Sequence, residues 1–139
     1  MTDGRNVEIR ARFRGGVAIL NVVGRLVRGS TPSLRTFVCE LVANGRVAVL
    51  VHMAAVTDMD AHGIGELVSS LTTVERHGGR LALIAPSAFV RRLLALTRLD
   101  TVFTICDSER EALVSLRVVA VAAPLPRKGF DDQDARPCI

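Results

Sequence analysis

The sequence predicts a single-domain α/β fold: a small mixed β-sheet, with an antiparallel N-terminal hairpin plus parallel strands, packed against about four helices. Three observations predict it. Residues 7–13, "VEIRARF", alternate apolar and polar side chains, the period of a strand with one wet face. From residue 47 onward, short apolar runs alternate with stretches of helical spacing, the order that produces parallel pairing through crossovers. The chain has 139 residues, 49% of them hydrophobic. That length lets it bury roughly two-thirds of its unfolded surface without staples.

Each element follows in turn. Val7, Ile9, Ala11 and Phe13 form the inner face of the first strand; "RGG" (14–16) offers the hairpin turn, and "VAILNVV" (17–23) returns. "GRLVRGS" (24–30) leaves the sheet. Thr31 reads as an N-cap with Pro32 at the first helical position. Leu34, Phe37, Val38, Leu41 and Val42 then make an apolar helix face that stops at Gly45. Val47–Met53 is apolar apart from His52, as a strand covered on both faces would be. A second helix spans 63–77 and ends at "HGG". "RLALIA" (80–85) is a further strand, Ser87 caps a third helix, "TVFTIC" (101–106) is a fifth strand candidate, and Asp107 caps the last helix.

Composition narrows the function. Trp and Tyr are absent and only five Phe occur, so bases have little to stack on. The net charge is +4, but the basic residues are mostly scattered singly. We read them as a solvated surface, with no direct nucleic-acid partner. The three cysteines show no CxxC spacing, and Cys39 and Cys106 sit in apolar contexts, which suits buried thiols in a reducing compartment. No signal peptide and no apolar run of about 18 residues is seen, so a cytoplasmic protein without membrane insertion is expected. Residues 1–6 read as a short lead. Residues 122–139, with three prolines and mixed charge, read as a disordered tail.

The chain changes character at "TDMDAHGIGEL" (57–67), between an apolar strand and a helix. The residue types there are compatible with three chemistries. Free N–H groups at Ala61, His62 and Gly63 could hold an anion, but "HGIG" matches no phosphate-binding loop. Asp58, Asp60 and His62, spaced by two, could approach a metal, but a fourth ligand is missing and a helix beginning at Ala61 would break the alternation. His62 with Asp60 could act as a base, but no nucleophile stands nearby. The residues alone give a solvent-facing junction: no enzyme, no cofactor and no metal site.

"VAVLVHMAAVTDMDAHGIGELVSSLTTVERHGGRLALI" nevertheless resembles the central segment of the STAS domain family, of the bacterial anti-sigma factor antagonist type. In that family an apolar strand ends in a loop reading D-S-S-G-[LI]-G, followed by a helix. "VVGRLVRG", "LRTFVCELVANGR" and "LLALTRLDTVFTICDSEREALVSL" extend the likeness to about residues 7–117, and a STAS-like domain is placed at 7–121. The resemblance implies a partner switch. The unphosphorylated domain binds an anti-sigma factor, often a serine kinase, which releases it by phosphorylating a loop serine.

This chain departs from that pattern. Asp60, Gly63, Ile64 and Gly65 match the loop, but Ala61 and His62 occupy both hydroxyl positions. Asp58 and His52 also differ from the usual pattern, and all four departures are read as one cluster. The expectation is a non-enzymatic, protein-binding transcription regulator, able to bind its partner but without the ordinary phosphoacceptor. Alternatives are a domain retuned for a regulatory scaffold or lipid-transport complex, phosphorylation at Thr57 or on His62, or, less favoured, a nucleotide- or metal-binding domain. The expected docking surface is the loop 57–63 (Thr57, Asp58, Asp60, Ala61, His62, Gly63) with Glu66, Ser69, Ser70, Thr73 and Arg76 on the exposed side of the helix. Asp60 caps that helix; Gly63 and Gly65 keep its backbone accessible. The edge segment 7–13 could also pair with a second copy as a homodimer.

Overall fold

The computed structural model describes residues 7–30 and 32–122. The element order is β1 (Val7–Arg14), β2 (Val17–Leu26), α1 (Leu34–Ala43), β3 (Ala48–Met59), α2 (Ala61–Arg76), β4 (Arg80–Ile84), α3 (Ala88–Leu96), a 3₁₀ turn at Leu99–Thr101, β5 (Thr104–Cys106) and α4 (Glu109–Ala122). One five-stranded sheet has the order β1-β2-β3-β4-β5, with β1 antiparallel to β2 and the other pairs parallel. Arg14 pairs with Val17 across a two-residue loop in which Gly15 and Gly16 have φ of 56° and 88°. Two successive positive φ values are what a type I′ hairpin turn requires, so these glycines fix the register.

Sequential parallel strands joined by right-handed crossovers must carry their helices on one face. The packing agrees. Leu34, Val38, Leu41 and Val42 of α1, Leu67, Leu71 and Val74 of α2, and Val90 and Leu94 of α3 share one core with Leu20, Val51 and Leu83 of the sheet. Ala112 and Leu116 of α4 pack on the opposite face against Ile19, Leu50, Ile84 and Cys106. The core is aliphatic, and Cys39 and Cys106 are buried thiols.

Several boundaries differ from the sequence expectation. Gly24, Arg25 and Leu26 stay in β2, and β3 runs six residues past Met53 to Met59. The two strands extend each other: Gly24 pairs with Val56 after one register shift, and Leu26 with Met59 after a second. Those irregularities break the period-two signal, and β4 pairs with β3 only as far as His52. The cap of α1 is Ser33, not Thr31, and Pro32 lies ahead of the helix; Thr31 itself is outside the described residues. Helix α2 begins at Ala61 and ends at Arg76. β5 is three residues long, its expected start having been taken by the 3₁₀ turn. At α4 the cap is Ser108, whose Oγ accepts the Glu111 N–H at 3.1 Å, while Asp107 donates its own N–H to Glu111 Oε1 at 2.7 Å. Phe13 is half exposed beneath the Arg46 guanidinium, 4.5 Å from its ring centre, rather than in the core. Helix α4 includes Ala122, one residue past the expected domain end, and the segments 1–6 and 123–139 lie outside the described residues.

Candidate functional site at the opening of α2

The strand-to-helix junction is held by one carboxylate. Asp60, with extended backbone, caps α2: its Oδ1 accepts the Gly63 N–H at 3.0 Å, and its Oδ2 accepts the Arg28 N–H at 3.0 Å. Asp60 therefore ties the start of α2 to the turn that follows β2. The Arg28 N–H, and after it those of Gly63 and His62, hold its carboxyl below the usual carboxylate range against an opposing effect of burial. The amides that might have cradled an external anion are thus partly used by the cap. That geometry removes the simplest anion-binding arrangement.

Gly63 is buried, and a Cβ there would lie 2.0 Å from the Leu26 carbonyl oxygen. It is present for close approach of α2 to β2, not to keep backbone accessible. Gly65 is exposed with nothing near its would-be Cβ. On the surface stand Thr57, Asp60, Ala61, His62 and Arg76, with Asp58 and Ser69 half-buried. Ser70 and Thr73, expected on the exposed face, are buried, and the Ser70 Oγ donates to the Glu66 carbonyl at 2.8 Å. With α2 starting two residues earlier than expected, its outward stripe runs through Ala61, His62, Gly65, Ser69, Thr72 and Arg76.

Thr57 and Asp58 belong to β3 rather than to a loop. The Thr57 Oγ donates to the Gly24 carbonyl at 3.3 Å, and Asp58 Oδ2 accepts from Arg25, its register partner, at 2.9 and 3.2 Å. His62 Nε2 lies 3.2 Å from Glu66 Oε2, one turn along α2. Asp58, Asp60 and His62 therefore face three different partners. Among the described residues no cluster of three His, Cys, Asp or Glu could hold a metal.

Glu66 makes a connection that no local pattern announces. Its side chain is only 12% exposed, and it reaches across to α1. Oε1 accepts the Leu34 N–H at 3.0 Å, and the Ser33 Oγ donates to Oε2 at 3.3 Å. Ser33 in turn accepts the Thr36 N–H at 3.3 Å. Two helix openings are braced together, and between them lies an open groove of about 610 Å³ whose lining includes Ser30, Arg35, Ala61, His62 and Ser69. Sequence reasoning missed Arg28, Ser30, Ser33 and Arg35, because their approach depends on β2 and β3 pairing some 30 residues apart.

His52 is not part of this cluster. It is half-buried on the α4 side of the sheet, beside Asn21, Arg10, Arg12 and Glu109, in a separate depression of about 520 Å³. There Glu109 accepts from Arg12 at 2.7 Å and from Arg14 at 3.0 Å. Among the described residues no helix is long and apolar enough to cross a membrane.

Comparison with known proteins places this fold. Residues 8–112 match the STAS domain. A Thermotoga maritima protein described as a candidate anti-sigma factor antagonist is 31% identical over 78 residues, covering 56% of this chain and 69% of that one. A crystal structure of a Thermotoga maritima protein with the same description superimposes with a TM-score of 0.69 at 25% identity, covering 78% of this chain and 94% of that one. The Bacillus cell fate determinant SpoIIAA in its phosphorylated form gives a TM-score of 0.63 at 18% identity, with 80% and 99% covered. At that identity the likeness is one of fold.

Proposed function

The chain belongs to the STAS domain family, with relatives named as anti-sigma factor antagonists, and from that premise we propose that it is a non-enzymatic regulator that binds an anti-sigma factor or serine-kinase-type protein. The observation that carries this reading is the exposed opening of α2. Asp60 caps it and Ala61 and His62 stand on the surface, with no hydroxyl at either position. A phosphate at the centre of a docking surface adds about −1.5 to −2 charges, which breaks a complex without unfolding the domain. Neither an alanine methyl nor an imidazole can take part in serine phosphorylation, so release by that route is absent at these two positions.

The docking surface we assign comprises Asp60, Ala61, His62, Gly65, Ser69 and Arg76, with the exposed Thr57 beside them. Glu66 supports it from behind. Ser70 and Thr73 contribute through packing.

The test is capture of the partner from native cells by the tagged full chain, followed by mass spectrometry and measurement of affinity. Ala61→Arg and Ser69→Arg place a long cation on the proposed surface without touching the core. Each is expected to weaken capture by at least about tenfold, equivalent to about 1.4 kcal/mol. Val114→Arg, at a 57% exposed position on α4, serves as the control and should bind as the wild type does. Equal capture by all three would remove the assigned surface.

A further inference from the structure

The hydroxyls near the opening of α2 differ in what surrounds them. Ser70 and Thr73 are buried. Thr57 lies within the β2–β3 ladder, between the Gly24–Val56 and Arg25–Asp58 pairs, so drawing its backbone into a kinase cleft would unzip the sheet. Ser69 is in the middle of α2. Ser33 caps α1 and donates to the Glu66 carboxylate at 3.3 Å, so a phosphate there would face a negative charge at close range.

Ser30 has none of these obstacles. It closes the turn Val27–Ser30, outside both β2 and α1, with its N–H donating to the Val27 carbonyl at 2.9 Å. Among the described residues its Oγ bonds backbone groups, accepting the Val27 N–H at 2.9 Å and donating to the Arg25 carbonyl at 2.7 Å. The preceding Gly29 has φ of 85°. The same groove is lined by Ser30, Ala61 and His62. Arg35 also lines that groove, Arg28 lies two residues before Ser30, and both are exposed. The Arg28 N–H, two residues away, is the donor to Asp60.

We propose that Ser30 is a phosphoacceptor, placed across the groove from Ala61 and His62, where the usual hydroxyls are missing. The proposal rests on the partner-switching reading above. The phosphoryl group comes from a nucleoside triphosphate held by the partner kinase. The Ser30 Oγ–P bond forms and the bond from the γ-phosphorus to its bridging oxygen breaks. The hydroxyl proton passes to a base of the kinase, and the nucleoside diphosphate leaves. The modified side chain can no longer donate to the Arg25 carbonyl. Its charge cancels those of Arg28 and Arg35 and opposes Asp60, so the Arg28–Asp60 tie loosens and the rim of the groove changes sign.

Two measurements test this. The full chain is isolated from its native cells with phosphatases inhibited, and phosphate is mapped by tandem mass spectrometry in the wild type, Ser30→Ala and Ser30→Asn. The asparagine variant can keep the turn's hydrogen bonds if alanine loosens it. Separately, phosphoserine is encoded directly at position 30 and amide exchange is followed by NMR. Phosphate is expected on Ser30 of the wild type and absent from both variants. In the encoded chain the Arg28 and Gly63 amides should exchange at least about tenfold faster with the rest of the fold intact. Phosphate on Thr57, Ser33 or His62 with Ser30 bare, no phosphate anywhere, or unchanged exchange in the encoded chain would each overturn the proposal. The partner-binding reading fails separately, through equal capture by Ala61→Arg, Ser69→Arg and Val114→Arg.

Discussion

Asp60 and Gly63 support the same turn by opposite means, one by what it accepts and the other by what it lacks. Replacing Asp60 with Ala removes the acceptor for both Gly63 and Arg28, and should lower stability by about 0.5–2 kcal/mol in urea denaturation. Gly63→Ala sets a methyl group against the Leu26 carbonyl and should cost about 1–3 kcal/mol through forced backbone displacement. Gly65→Ala, two residues on and facing solvent, should instead raise stability by up to about 1 kcal/mol, as glycine-to-alanine changes do on exposed helix faces. Equal effects at the two glycines would contradict the close approach of α2 to β2.

Acid should also reveal these carboxylates. Hydrogen bonding from the Arg28 N–H lowers the Asp60 pKa, and the side-chain hydrogen bond from Arg12, joined by Arg14, lowers that of Glu109. A group whose folded pKa is depressed contributes stability that is present above the unfolded value, about 3.9 for Asp and 4.3 for Glu. That stability is lost as pH falls through the lower folded value. Thermal unfolding followed from pH 6 downward should show stability falling below about pH 4, with a shallower fall in Asp60→Asn and Glu109→Gln. An identical acid slope in wild type and variants would show that neither carboxylate is tied as described.

Between elements, the decisive contact is Glu66 bracing α1 from α2. Glu66→Ala leaves the Leu34 N–H without its acceptor, and should cost about 1–3 kcal/mol. Faster amide exchange at Leu34 should accompany the loss, and Glu66→Gln should recover part of it.

The elements themselves were legible where their signal is local. The alternation of Val7 to Ala11, the helical spacing of Leu34 to Val42, the Asp60 and Ser87 caps and the apolar β4 all stand as read from the sequence. Failures came where partners are distant. The long extension of β3 through Ala54, Ala55 and Asp58 is stabilised by the matching extension of β2 across two register shifts, not by strand propensity. Phe13 fits the alternation, yet it ends exposed at the hairpin tip under Arg46. His52 looked close to the junction because it is close in sequence, but alternation along β3 turns it to the other face of the sheet.

At the scale of the molecule, sequential parallel strands place α1, α2 and α3 on one side and leave α4 to cover the other. The openings of α1 and α2 then meet at the carboxyl end of β3, where the chain presents a braced polar groove to solvent. Within the stretch that resembles the family, "GIGEL" and "HGGRLAL" serve the fold as much as any site: Gly63 approaches Leu26, and a Cβ at Gly79 would meet the Val47 carbonyl at 2.0 Å. What identifies the family in the sequence is therefore largely architecture, whereas the docking surface proposed above draws on residues outside the core, the exposed Ala61 and His62 and the half-buried Ser69.

The most direct test of the docking surface is hydrogen–deuterium exchange on the full chain, free and bound to the partner captured from native cells. New protection is expected at residues 57–69 and at the adjoining segment 27–36, with β1 and α4 unchanged. Protection confined to β1 and α4, with the opening of α2 exchanging as in the free protein, would contradict the account.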